Sequence, residues 1–243
     1  MVSSEIALFL RTMPSVTDFS QRGFAVLRNL IDESVRARII DWLDETKCQE
    51  AGTRNLMENP WCKKIAANLA EDKRIRALIS PRNIAVQCTL FEKTPENGWK
   101  VPYHQDLNIP VKNAIDAESI RCSKKEGVCY VIPETGVLAG LRAVRLHLDD
   151  CGYDNGPLRV ITGSHRRGRI PESDIPMIVA QGGDVVCAVN AGDVLVMHPL
   201  LLHASSKPSV PSFRRVLHFL YGPAALPSRL QWHEWWPAPI NLS

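Results

Sequence analysis

Beyond Pro81 the chain becomes a succession of short β-favouring runs, at residues 84–92, 101–107, 128–132, 142–149, 157–161, 185–189, 193–198 and 214–221. Gly, Pro, Asn and Asp punctuate the gaps, which predicts strands joined by turns. No helical segments alternate with these runs, so a parallel α/β sheet is excluded. The part before Pro81 has a different rhythm. Residues 16–30 read as a short helix, a turn at Gly23 and a strand. Ile31 to Lys47 puts Val35, Ile39, Trp42 and Leu43 at helical spacing behind Asp32, a predicted N-cap. A second helix opens at Asn59-Pro60, with Trp61, Ile65 and Leu69 on one face, and Ile75, Leu78 and Ile79 extend or follow it. Helices leading into an all-β core predict a mainly β fold with flanking helices, a sandwich or jelly roll.

The chain of 243 residues, 45% apolar, fits a single domain with a full core. It divides into a helical part over about 1–80, a β core over about 84–221 and a tail over 222–243, without internal repeat or linker. Net charge is +3 and the basic pairs are scattered, which argues against nucleic acid as a partner. Seven cysteines, at 48, 62, 88, 122, 129, 151 and 187, form no CxxC and no scaffold rhythm, so reduced thiols are expected. The N-terminal apolar patch, Ile6 to Leu10, lacks the basic start of a signal peptide, and no apolar run approaches membrane-spanning length. These features lead us to expect a soluble, cytoplasmic protein without membrane contact.

Chemistry concentrates in Val101-Pro-Tyr-His104-Gln105-Asp106. On a strand, residues two apart leave the same face, so His104 and Asp106 converge on one point. A third ligand is offered by the apolar run from Gly192-Asp193, which carries His198 and His203. Five positions apart, these two cannot share a face of one regular strand, and His203 is favoured because it precedes the polar turn Ala-Ser-Ser-Lys-Pro. Two imidazoles and a carboxylate on one side of a metal leave the opposite positions vacant, the arrangement of non-haem Fe(II) oxygenases. A bare H-x-D also suits an ordinary surface pair, so the surroundings must carry the weight.

Arg214-Arg215 opens the last strand, and period two lets only one of them point inward, where a guanidinium could grip a carboxylate with two parallel hydrogen bonds. Lys93, closing the strand through Phe91, could add charge to the same pocket or stay exposed. Arg145 and His147 share one face of the run 142–149, with Val144, Leu146 and Leu148 on the other. Polar groups on a central strand are costly unless they line a cavity, which makes this pair the candidate substrate contacts. Asn155-Gly156 and Gly163-Ser164-His165 read as structural corners, and Gln231 to Trp236 as a packing tail.

In order along the chain, Leu90-Phe-Glu-Lys93-Thr-Pro-Glu-Asn-Gly-Trp99-Lys-Val-Pro-Tyr-His104-Gln-Asp106, His147-Leu-Asp-Asp, Asn155-Gly-Pro-Leu-Arg-Val, Gly163-Ser-His165 and Gly192-Asp193 through His203 to Arg214-Arg215 resemble the phytanoyl-CoA dioxygenase family of Fe(II)- and 2-oxoglutarate-dependent oxygenases. The resemblance covers residues 84–221 and extends weakly to Gly23-Phe-Ala-Val-Leu. It implies a double-stranded β-helix, the jelly roll, with Fe(II) at one mouth held by His104, Asp106 and His203. It further implies 2-oxoglutarate and O2 as cosubstrates, with Arg214 on the far carboxylate and Lys93 as a second cosubstrate residue. The apolar phase of Leu217, Phe219 and Tyr221 leaves Arg215 open as the alternative. Two departures stand out. Ser205-Ser206-Lys207-Pro208 replaces a turn that often carries asparagine, and Asp106 is intact where halogenating relatives have a small residue.

The implied reaction is oxidation of a C–H bond of a small molecule, by hydroxylation, desaturation or cyclisation, with release of succinate and CO2. No phosphate-binding loop for a CoA ester is legible, whereas Arg145, His147, Lys124 and Lys125 could each meet a small carboxylate, so a free small acid or a natural-product intermediate is the expected substrate; oligomeric state is not legible. Two rivals remain: a metal-binding jelly roll without oxygenase activity, and a zinc hydrolase on the same ligands.

Overall fold

A computed structural model describes residues 15–46, 53–95, 97–112, 122–210, 212–227 and 229–236. It opens with helix α1 (Val16–Arg22), strand β1 (Phe24–Leu27), and helices α2 (Glu33–Glu45), α3 (Pro60–Glu71) and α4 (Lys73–Arg76). Strands β2 (Asn83–Lys93), β3 (Val101–His104), β4 (Ile109–Val111), β5 (Ser123–Lys125) and β6 (Val128–Val131) follow, then helix α5 (Thr135–Gly140) and strands β7 (Arg142–His147) and β8 (Leu158–Ile161). Helix α6 (Ile175–Ala180) leads into β9 (Asp184–Cys187), β10 (Val194–Met197), β11 (His203–Ser205) and β12 (Arg214–Pro223).

Local chemistry accounts for the helical boundaries. Ser15 and Asp32 cap α1 and α2 by accepting from Asp18 N and Val35 N, 2.9 Å each. Gly23 ends α1 in the left-handed region at φ 84°, and Pro60 occupies the first turn of α3. The apolar stripes of these helices, including Ile39 and Leu43 of α2 and Ile65 and Leu69 of α3, pack on one face of a five-stranded antiparallel sheet of order β1-β10-β7-β12-β2. That face presents Leu90, Val144, Leu146, Val196, Leu217 and Phe219. Because side chains alternate, the opposite face of the same strands carries Arg145 and His147 of β7, Arg214 and His218 of β12, and Gln87, Thr89, Phe91 and Lys93 of β2.

A second sheet, β3-β11-β8-β9, and a third, β4-β6-β5, are antiparallel throughout, and Ile109, Val111 and Val131 of the third cluster with Ile84, Val86 and Leu220 of β2 and β12. Phe24, Ala143, Leu195 and Met197 of the five-stranded sheet and Leu158 and Val160 of the four-stranded one form a further apolar cluster. The two antiparallel sheets are the double-stranded β-helix expected from the sequence.

Three expectations are corrected. The run 193–203 is not one strand: β10 ends at Met197, the chain turns, and β11 joins the other sheet. The parity argument separating His198 from His203 therefore does not apply, since they lie on different elements. The ladder of β3 ends at His104, so Asp106 follows the strand instead of lying within it. Cys122 and Cys129 are joined as a disulfide, with Cα atoms 5.6 Å apart, where reduced thiols were expected. Among the described residues Cys62, Cys88, Cys151 and Cys187 are buried and belong to no disulfide, and Cys48 lies outside them. The patch at Ile6 to Leu10 also lies outside the described residues, and no described helix is long and apolar enough to cross a membrane.

The turn into β10 is held by Asp193, fully buried, which accepts hydrogen bonds from Arg28 Nη1 at 2.6 Å, Asn29 N at 2.9 Å and Asn190 N at 2.8 Å. Gly192, at φ 85°, precedes it because a Cβ there would lie 2.5 Å from Ile31 O. Replacing Asp193 by Ala strands two backbone N–H groups and removes the ion pair with the half-exposed Arg28. We expect a loss of about 3 kcal/mol, read as a melting temperature lower by about 6–12 °C in thermal denaturation.

Candidate active site

The antiparallel register of β3 on β11 sets His203 directly opposite His104, and their ring centroids lie 4.2 Å apart. Past the end of β3 the chain is steered by Gln105, which turns into the core. Its amide donates to Leu200 O at 2.6 Å and Gly168 O at 2.8 Å and accepts from Ile170 N at 2.8 Å. Asp106 N donates to Pro199 O at 2.9 Å. With the backbone held this way, Asp106 returns to the side of His104. Asp106 Oδ1 lies 3.7 Å from His104 Nε2 and its Oδ2 3.5 Å from His203 Nε2. One ligand atom from each residue falls within 4.8 Å of the others.

The donor set fits a divalent metal. His104 Nδ1 and His203 Nδ1 each lie 2.9 Å from a backbone carbonyl, those of Pro102 and Leu201. A carbonyl only accepts, so Nδ1 carries the hydrogen and each Nε2 keeps a lone pair for the metal. Burial pushes the Asp106 carboxyl up, but His203, His218, His104 and Arg145 together hold it down at about 2. Burial lowers His203 to about 4 despite the attraction of Asp106. The set offers one carboxylate and two imidazole Nε2 lone pairs, which suits Fe(II).

Two cavities meet at these residues. The first, about 220 Å³, is lined by Phe91, Trp99, Leu158, Ser205, Arg145 and Arg214 as well as the triad. The second, about 300 Å³, shares Phe91, His104 and Asp106 and adds Gln87, Thr89, Tyr130 and His218. Arg214 is buried and donates to Gly156 O. Arg215 points the other way and is bound through two nitrogens to Asp149, at 2.9 and 2.8 Å. Lys93 is the register partner of Arg214 and fully buried, one layer behind the first cavity. Its Nζ donates to Ser205 Oγ at 3.2 Å and Ser206 O at 2.9 Å. Gly156 is required there, since a Cβ would collide with Ser206 O. Burial and the neighbouring Arg214 lower Lys93 to about 8, and burial and the same Arg214 lower Arg145 to about 10. Among the described residues no salt bridge neutralises Lys93, Arg145 or Arg214, so three buried cations lie close enough to repel one another, two of them lining the first cavity.

Other candidates fall elsewhere. Arg145 lines the first cavity, but His147, two residues along the same face, does not reach either wall. It is buried with neither ring nitrogen hydrogen-bonded among the described residues. His198 stacks between Phe19 (5.3 Å) and His165 (4.5 Å), and its Nδ1 accepts from Arg142 Nη1 at 3.3 Å. That stack ties α1 to the sheet, and none of its rings belongs to the ligand cluster. Sequence reasoning missed Gln105 and His218. Alternation alone could have found both, since Gln105 must face away from its two neighbours and His218 shares the phase of Arg214.

The family model for phytanoyl-CoA dioxygenase (PhyH) matches residues 19–216. The chain belongs to the phytanoyl-CoA dioxygenase family. Members of this family are Fe(II)- and 2-oxoglutarate-dependent oxygenases, and this protein is one of them, using iron, 2-oxoglutarate and O2. AviO1 from Streptomyces viridochromogenes Tue57 is a similar structure, with 20% identity, 93% of this chain and 96% of that chain covered, and a TM-score of 0.61. HygX from Streptomyces hygroscopicus, solved with nickel and 2-oxoglutarate bound, gives 16% identity, 86% of each chain and a TM-score of 0.60. SnoK, a non-heme alpha ketoglutarate dependent carbocyclase from nogalamycin biosynthesis, gives 15% identity, 92% and 85% coverage, and a TM-score of 0.64. At these identities the likeness shows the fold, and no curated protein matches the sequence.

Two outcomes follow for this phytanoyl-CoA dioxygenase family member. His203→Ala should abolish stoichiometric Fe(II) binding in an anaerobic titration, whereas His198→Ala should bind metal normally. Burial, then Arg142 and His165, lower His198 to about 3. The unfolded chain, with a histidine pKa of about 6.5, therefore takes up a proton that the folded chain refuses. This contribution to stability is complete above about pH 6.5 and falls as pH drops toward the folded value. Melting of metal-free protein between about pH 7.5 and about pH 5 should show this slope, and His198→Phe should make it shallower by one histidine's share, the remainder coming from other buried histidines such as His203.

Proposed function

We propose that the protein hydroxylates a C–H bond of a small molecule, with His104, Asp106 and His203 holding iron and Arg214 gripping the far carboxylate of 2-oxoglutarate. The observation that carries this reading is the position of the three ligands at the junction of two cavities, one of them ending in buried, uncompensated cations. A dianion is the natural occupant of such an end, because it removes the mutual repulsion of Arg214, Lys93 and Arg145. Lys93 acts through Ser205, whose hydroxyl it orients, and through its charge. Asp149 keeps Arg215 outside, so one guanidinium alone faces inward from that pair.

Bound iron and 2-oxoglutarate supply oxygen activation coupled to release of succinate and CO2. The chain's own share is placement and exclusion of water. Phe91, Trp99 and Leu158 wall the first cavity with apolar surface, and the backbone carbonyls of Pro102 and Leu201 hold both imidazole ligands in the Nδ1–H form. The second cavity shares Phe91, His104 and Asp106 with the first and is the substrate chamber in this reading. At about 300 Å³ it stands at the lower end of ligand sites, which favours a compact molecule over a CoA thioester. A substrate with a second reactive centre beside the abstracted hydrogen would instead desaturate or cyclise. We read the helices and the β core as one catalytic unit in the cytoplasm, since the helices bury the back of the sheet that carries Arg145 and Arg214.

Anaerobic addition of 2-oxoglutarate to the Fe(II) protein should produce the weak visible charge-transfer band of the chelate; iron-loaded protein without that band would remove the cosubstrate assignment. Arg214→Ala should raise the 2-oxoglutarate concentration needed for half the band by roughly 100-fold, the scale of about 3 kcal/mol for a hydrogen-bonded charge. Arg215→Ala should leave it unchanged, and the reverse pattern would transfer the role to Arg215.

A further inference from the structure

The second cavity has a wall made of neutral hydrogen-bonding groups. Gln87 and Thr89 of β2 and Tyr130 of β6 form one side, where Gln87 Nε2 lies 3.0 Å from Thr89 Oγ1 and 3.2 Å from Tyr130 OH. With both hydroxyl oxygens accepting from the amide, each hydroxyl hydrogen is left to be donated elsewhere. Turning the amide over would reverse the directions and leave each oxygen's lone pairs to a ligand, so either way both hydroxyls have capacity to spare.

His218 of β12 lines the same cavity, and its Nδ1 is 2.8 Å from Arg145 Nη1. A guanidinium has only hydrogens to give, so His218 Nδ1 must accept and the ring proton must sit on Nε2. A doubly protonated ring would set N–H against N–H beside a buried cation. Phe91 meets the imidazole edge-on, with centroids 5.5 Å apart at 87°, and limits the ring's tilt. Leu141 and Leu220 add an apolar patch to these polar groups. The buried cations line or back the first cavity, while at the second Lys125 is exposed and the half-buried Arg54, which lines both cavities, is paired with Glu126 at 2.7 Å.

We propose that the second cavity takes a neutral, hydroxyl-rich ring compound, a polyol or sugar derivative, and that His218 is its specificity-determining donor, with Arg145 as the positioning residue that sets the His218 tautomer. Hydroxyls of such a ring satisfy the Nε2–H, Thr89 and Tyr130, while its C–H face meets the apolar patch. An anionic substrate would instead need a buried cation in this chamber, and a hydrocarbon would strand three polar groups. The proposal rests on the oxygenase reading, so its test measures the two chambers separately.

Protein loaded with Zn(II) and 2-oxoglutarate, inert toward O2, is titrated with three probes on one six-membered frame: myo-inositol, cyclohexanecarboxylate and cyclohexane. Saturation-transfer NMR reads binding and long-range ¹H–¹⁵N correlation reads the His218 ring. We expect the Nε2–H tautomer in the wild type and exchange between tautomers in Arg145→Met. We also expect myo-inositol to bind in preference to the other two and to perturb the His218 nitrogens. Its affinity should fall about tenfold in both His218→Phe and Thr89→Val, with calorimetric 2-oxoglutarate affinity unchanged in Thr89→Val. Preference for the carboxylate or the hydrocarbon, no myo-inositol binding up to its solubility, or an Nδ1–H ring would overturn the proposal. Failure of 2-oxoglutarate to bind the Zn(II) protein would instead overturn the parent reading, independently of the probe result.

Discussion

The pairing of β3 with β11 is the constraint on which the site depends. Roughly one hundred residues of chain separate His104 from His203, and no loop could hold their rings to a fraction of an ångström. A ladder can, because its register is set by backbone hydrogen bonds and by which face is buried. A slip of one residue would turn His203 to the opposite face of its strand and leave His104 and Asp106 as an ordinary surface pair. The fold protects this register from behind. Gln105 is tied to Leu200, Gly168 and Ile170, and Asp106 N to Pro199, so the segment leading into β11 and the segment leaving β3 are fastened to each other.

The five-stranded sheet lives in two environments at once. Its outer face is apolar and covered by helices, and its inner face carries arginines, a lysine and histidines at one end. Placing charged side chains there costs desolvation, visible in the lowered proton affinities of Lys93, Arg145 and Arg214. The cost is carried by the rest of the sheet, whose helix-facing residues are among the most buried in the chain. Stability and chemistry are thus separated by the alternation of a β-strand, side chain by side chain.

Much of this was legible in the residues. Strand positions followed the turn residues between them, Asp32 was readable as a helix cap, and the alternation in 142–149 already put Arg145 on a face that had to border a cavity. The same alternation offered His147 as a second substrate contact, but how far along the strand the cavity extends depends on the opposing sheet, which no local pattern reports. The choice between Arg214 and Arg215 was open because either phase of the strand looks apolar from the sequence; in the structure Arg214 lines the first cavity and Arg215 is bound by Asp149, a residue distant in the chain. The turn at His198 was hidden inside a continuous apolar run, since a chain crossing from one buried sheet to another stays apolar throughout. The Cys122–Cys129 link arises from a hairpin pairing, β5 on β6, whose first strand is too short and polar to read as a strand.

Phe91 is a wall of both cavities, and a partition with an occupant on each side does not serve them independently. Any adjustment of that ring on filling one chamber reshapes the other, and thermodynamic reciprocity then requires that whatever the cosubstrate does to the affinity for the second guest, the second guest does equally to the cosubstrate. Under the proposed two-chamber reading, a single phenyl group is the place where the two affinities would be linked.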